Sequence, residues 1–515
     1  MPEFGRTLPP RPNLEQQKKL AKDLLAAFRR GDTEALARVR AELPDKKEIR
    51  LADAQYVLAR EYGFASWREL TERVEALAAN ALPLIEQFKS AVRNGDAKAL
   101  RAMRPQRTEL RAVVNEPVFA FDSPALASVA GNGDVDLVDA LLDLGADPNG
   151  RTTWWAGGFH PLYSASGAVA DRLLAAGAIP DACAAAHLDR ADLLATMLAA
   201  DPSLVHERGG DGQTPLHFAR SRQVVDLLLE AGADPDARDL DHRSTPAQWM
   251  LSDGDDPHES RLDVAKYLVE RGASMDIFLA AALGASERAR AMLEANPKLL
   301  TLRTSQGEYG EKRPSSYHIY LWSIGSNFTP LQTAARFHQA ETLDVMRQFA
   351  SAEQRLMLAC QVGNREEAHA IVRDKPGIVA RLGRDDRRAL TDEAWAANAR
   401  AVELMLELGF DPAVPSVSGP TGGTALHCAA WEGSVESVAA ILRYPAGRAL
   451  LEKRDPTYGG TPLSWCCHGS LNCGRAGADH AGVARLLLAA GARAADIAEA
   501  LDAVQEVIDS AAAIT

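Results

Sequence analysis

Twelve histidines are spread through this chain, and three of them, His160, His318 and His468, stand in stretches that also hold tryptophan or tyrosine. A fourth, His242, sits between Asp241 and Arg243. Imidazoles beside carboxylates are suited to general acid–base chemistry. Trp154, Trp155 and Phe159 precede His160; Tyr309, Tyr317, Tyr320 and Trp322 surround His318; Tyr458 and Trp465 precede His468. Cys466, Cys467, His468, Cys473 and His480 add a set that offers metal ligands by residue type. Their spacing matches no common zinc pattern, and adjacent cysteines on a helix point in different directions, so no metal and no cofactor are expected. The chain has no Gly-x-Ser-x-Gly, no His-Glu-x-x-His and no P-loop lysine signature. Catalysis would therefore require these scattered groups to meet in one pocket. Without that convergence they remain loop aromatics, which give a binding surface large contact area at small entropic cost.

The elements that position these residues announce themselves by a repeated phrase. Asp211-Gly-Gln-Thr-Pro-Leu-His-Phe-Ala219 opens a segment that closes with Leu227-Leu-Leu-Glu-Ala-Gly-Ala-Asp234. Proline is free of cost at the first helical position, because its missing N–H would be unpaired there in any case. Glycine tolerates the left-handed conformation that stops a helix. The opening returns at Thr245-Pro, Thr329-Pro, Thr424-Ala and Thr461-Pro, and the closing at Gly145, Gly177, Gly272, Gly409 and Gly491. A variant unit lacks the Thr-Pro start and ends in Asp201-Pro or Asn296-Pro.

Start and stop signals recurring in order resemble the ankyrin repeat family, whose unit of about 33 residues pairs a turn with two helices. The resemblance implies an all-α ankyrin-repeat α-solenoid of roughly eleven units, elongated and curved, with β-hairpin finger insertions and a helical N-terminal cap. Residues 1–80 form that cap; 81–300 and 329–494 are the two halves of the array, separated by a long finger at 301–328; 495–515 is a closing helix. Within the cap, Ser66 and Glu69 make a capping box, and Phe64 and Trp67 pack between helices. The stretch Leu51 to Trp67 resembles a leader that precedes bacterial ankyrin arrays. His217 and His427 occupy the consensus histidine, whose usual role is to bond neighbouring loops.

Insertions into repeats map to loops and mark function. Four stand out: 150–160, 301–328, 412–423 and 453–460. The alternation in Tyr317-His-Ile-Tyr-Leu-Trp322 reads as a strand of a hairpin. Gly157-Gly158 read as leaving Trp154 and Trp155 little local scaffold to bury against. Cys466 and Cys467 fall in the small-residue slots held by Ala429 and Ala430 one unit earlier. The leading expectation is a non-catalytic scaffold binding a protein on its concave finger and inner-helix face. The alternative is a small-molecule site, or an enzyme, in a pocket closed by the fingers.

Composition narrows the partners. The 57 basic against 70 acidic residues give a net charge of −13, contrary to the clustered cations that nucleic-acid binding needs. Arg381 to Arg388, offset by Asp385 and Asp386, reads as a solvated face. No apolar run approaches the roughly 18 residues of a membrane span, and the first residues lack the basic-then-apolar pattern of a secretory signal. Six cysteines in a chain of this length make no disulfide framework, so a reducing cytoplasm is the expected location.

Overall fold

Each repeat opening does what its residues dictate. Thr245 and Thr329 cap helices Pro246–Trp249 and Pro330–Arg336, and Gln248 and Gln332 return the bond to the threonine N–H groups at 2.9 and 3.0 Å. At Thr214 and Thr424 an imidazole does the same, His217 and His427 accepting through Nδ1 at 3.0 and 3.2 Å. His427 also reaches the Gly460 carbonyl of the next loop at 3.2 Å. The closing glycines Gly145, Gly177, Gly232, Gly272, Gly409 and Gly491 all have positive φ, the conformation that ends a helix at little cost to glycine. The variant units replace threonine by aspartate: Asp181 caps Ala182–His187 and Asp276 caps Ile277–Leu283.

The computed structural model describes residues 4, 6, 14–251, 261–304, 316–416, 422–494 and 502–512. Among these residues the regular structure is helical, apart from one isolated bridge between Phe119 and Ser123, and no helix is long and apolar enough to cross a membrane. The chain divides into two units, Met1–Arg220 and Ser221–Thr515.

The first unit begins with helices Leu14–Arg29, Thr33–Glu42, Leu51–Glu61 and Trp67–Arg93. Glu61 is buried and held by Arg38, whose Nε and Nη2 donate to its two oxygens at 2.7 and 2.9 Å. Phe64 and Trp67 pack against Leu70 and Val74, and Ser66 caps the last of these helices. Glu69 completes the box one residue early, accepting from the Ala65 N–H instead of from Ser66. That helix runs unbroken through residues 80–81. Further along, Ala97–Ala102 packs on Val135–Leu144, which packs on Gly167–Ala175.

In the second unit the first helices of repeats stack in rows. Ile277–Leu283 lies on Pro330–Arg336, and Ala389–Trp395 on Ala425–Trp431, which lies on Pro462–Asn472. The second helices Ala399–Glu407, Val435–Leu442 and His480–Ala489 form a parallel row. Positions 425–430 are buried all round, as a helix sandwiched between neighbours must be. Cys466 and Cys467 are buried in the slots of Ala429 and Ala430. Asp502–Ala512 packs on His480–Ala489 at the end of this unit.

Three expectations change. The fingers are not β-hairpins: each described one is closed by isolated backbone bonds, such as Thr152 N to Phe159 O at 3.0 Å and Asp455 N to Gly460 O at 2.9 Å, with no ladder. Tyr317–Trp322 is likewise no strand, but a 3-10 turn, Ser316–Ile319, running into the short helix Tyr320–Ser323. The reason lies in the rings, since Tyr317 and Tyr320 stack at 6.2 Å, a pairing that three-residue helical spacing provides and alternation does not. Arg388 is also buried rather than solvated, paired with Asp392 at 3.1 Å.

Candidate functional site

The first-unit finger 150–160 is built on its glycines. A side chain at Gly157 would collide with the Gly209 carbonyl, one at Gly158 with the Thr152 carbonyl, and the Phe159 ring covers Gly210. The glycines thus permit close packing, and the expectation that they leave the tryptophans without a scaffold is corrected. Trp154 is half-buried and meets the exposed Phe121 edge-on at 5.7 Å, on a backbone where Phe121 itself has positive φ. Trp155 remains 67% exposed. His160 is buried, accepts the Leu162 N–H through Nδ1 at 3.0 Å and faces Asn149 at 3.4 Å. Burial, aided by the Arg151 charge, pushes its pKa down to about 4. It is a neutral capping group at this site.

Beneath this finger, Arg151 donates to Tyr163 Oη at 2.8 Å and pairs with Asp181, which also accepts from Tyr163 at 2.6 Å. Asp181, Cys183 and Glu207 could by type hold a cation, and their ligand atoms lie within 4.8 Å of one another. Both carboxylates are already engaged, Glu207 with the Ala182 N–H at 3.1 Å.

The second unit brings together the expected residues around His242 and those around His318. His242 and His318 stack at 5.3 Å, and His242 meets Trp249 edge-on at 5.1 Å. Asp239 lies 3.4 Å and Asp241 3.8 Å from His242 Nδ1. Asp239 is itself fixed by Trp249 Nε1 and the Ser244 N–H, each at 2.8 Å. Burial, then the neighbouring His242, lowers the His318 pKa. Tyr320 is fully buried and donates to Asp276 at 2.8 Å, which Gln248 also meets at 2.8 Å. Tyr317 is partly buried against Phe278. Arg243 and Trp322 point to solvent, Trp322 with 66% of its surface exposed. Tyr309 lies outside the described residues. Asp239, Trp249 and Asp276, which hold this cluster, do not stand in the aromatic inserts and escape a reading based on them.

A third group lies on the stacked first helices. Trp395, Trp431 and His468 are the seventh residues from Ala389, Ala425 and Pro462, the starts of three successive first helices. Trp395 and Trp431 stack at 6.2 Å and 10°, and Trp431 meets His468 at 5.2 Å. Trp465 is buried across both indoles at 6.2 and 6.1 Å, with Nε1 donating to Asp455 at 3.0 Å. Asp455 also accepts the N–H of Tyr458, whose ring is 70% exposed at the finger tip. Trp395 and Trp431 were not among the expected residues. The alignment that places Cys467 on Ala430 puts Trp431 on His468 one residue later, and that signal was available.

His318 and His468 have different ring neighbours, His242 and Trp431, and so belong to separate groups of the second unit. A cleft of about 430 Å³ in this unit is lined by Ile378, Val379, Leu408, Phe410, Asp411 and Val414 among others, and by none of the expected site residues. A model of the ankyrin repeat family matches residues 211–240. No curated protein matches the chain.

Proposed function

We propose that this chain, which carries an ankyrin repeat at residues 211–240, is a binding scaffold that engages a protein partner along the Trp395–Trp431–His468 row. Ankyrin repeats generally mediate binding between proteins. One observation carries the choice of face: three consecutive repeats place an aromatic ring, half-buried or exposed, in the same first-helix slot. The stack does not require rings there, since the equivalent slot of helix Pro330–Arg336 holds Arg336. Part-exposed indoles are the residues that most often anchor a protein interface. Tyr458 extends the surface, and Trp155 and Trp322 are read as further contacts on their own fingers. The imidazoles of His160, His242 and His318 are buried, which favours binding over acid–base catalysis. Six free cysteines support a reducing compartment such as the cytoplasm.

The test is selection of binding peptides from a displayed random library, followed by titration against variants. Trp431→Ala and Trp395→Ala should each weaken the selected peptides at least about tenfold, while the fold is retained by circular dichroism. Peptides that bind both variants as tightly as wild type would place recognition elsewhere.

A further inference from the structure

Helix Ala389–Trp395 carries Glu393 in the slot that Ala334, Ala429 and Cys466 fill in other repeats. A carboxyl group thus occupies a buried position designed by the repeat for a small apolar side chain. Among the described residues it receives one side-chain hydrogen bond, from Asn398 Nδ2 at 2.7 Å. The other hydrogen of that amide goes to the Gln361 carbonyl at 2.9 Å, tying the joint to helix Ala352–Gln361.

Acceptors outnumber donors around this joint. Asp392, the neighbouring residue, has a side chain nine-tenths buried, and both its donors, Asn327 at 2.8 Å and Arg388 at 3.1 Å, meet the same oxygen. Its Oδ1 is buried without a partner, and so is Gln361 Oε1. The charges that reach Glu393 are Asp392 and Arg336; Arg388 and Arg303 reach Asp392; and the thiol facing Glu393 from helix Ala352–Gln361 is Cys360. Two adjacent buried carboxylates repel one another, and a buried charge without full pairing is costly. One bound proton removes a charge and converts an acceptor into a donor.

We propose that the joint between the repeats 351–374 and 389–407 is a proton-operated device, closed when Glu393 carries a proton and loosened when the proton leaves. Burial, with Asp392 adding to it, holds the Glu393 pKa at about 7, against an ordinary 4.5. The folded-state value is raised, so the stabilisation is complete below the ordinary carboxylate range and is lost as pH rises through neutrality.

The full chain should show a melting temperature that falls by roughly 2 °C more in wild type than in Glu393→Gln between about pH 6 and 8. Glu393→Ala, which copies Ala429 of the next repeat, should flatten the profile in the same way. Hydrogen exchange, corrected for its intrinsic pH dependence, should accelerate at 352–361 and 389–407 of wild type and not at 425–442. Difference infrared spectra of wild type should lose a protonated-carboxyl band over the same interval, and that component should be missing from Glu393→Gln. Parallel melting curves in wild type and variants, uniform exchange across the three segments, or no carboxyl band would overturn the proposal.

Discussion

At the residue scale, exposure separates rings that can recognise a partner from rings that hold the scaffold. Trp155→Ala should change stability by no more than about 0.5 kcal/mol, as expected for a side chain with little packing to lose. Trp465→Ala removes a buried ring together with its hydrogen bond to Asp455, and should cost about 3–5 kcal/mol by thermal or urea unfolding. Equal losses in the two variants would show that the finger 150–160 depends on Trp155. His160 gives a second residue-scale expectation. Its folded pKa of about 4 lies below the ordinary 6.5, so the unfolded chain binds the extra proton first. Stability should therefore fall as pH drops from about 6.5 towards 4, and His160→Asn should lessen that fall. A His160 resonance, assigned by its loss in His160→Asn, that titrates near 6.5 in the native protein would refute this. The aromatic content of the inserts was legible from composition. The burial of His160, His242 and His318 was not, because burial depends on what packs from elsewhere in the chain.

At the element scale, helix starts and stops were readable because each rests on local chemistry. A threonine caps, a proline fits the first turn, and a glycine closes. The finger around Tyr317–Trp322 shows where local pattern fails. Its alternation suited a strand, yet Phe278 and Asp276 of a neighbouring repeat draw Tyr317 and Tyr320 to one side as a helical turn. A short segment takes its conformation from the surface on which it must bury its rings. Tyr320→Phe keeps the ring but deletes the bond to the buried Asp276, and should cost about 1–3 kcal/mol. Unchanged unfolding in that variant would mean that Gln248 and the backbone N–H groups of Phe278 and Leu279 satisfy Asp276 alone.

At the scale of the whole molecule, all six cysteines are free and five are buried, their thiols held above the ordinary range by desolvation. In native protein at about pH 6, where the Glu393 joint is closed, at most Cys473 should react promptly with a thiol reagent, and the other five only on unfolding. Rapid labelling of several thiols in the native state would show that the rows of first helices open readily. Such opening above neutral pH is what the Glu393 joint leads one to expect locally, at Cys360 before Cys466 or Cys467.

The helical repeats were readable along the chain, because capping, proline placement and glycine stops act within a few residues. So was the placing of Cys466 and Cys467 in apolar slots, since in-register repeats place equivalent positions in equivalent surroundings. Which aromatic rings face solvent, that His242 meets His318, and that Trp395, Trp431 and His468 form one row came instead from packing in three dimensions. These follow from stacking between repeats, where neighbours are set by packing and not by local spacing. The neutral-pH carboxyl of Glu393 belongs to the same class: its residue type is local, but its buried surroundings are supplied by two other helices.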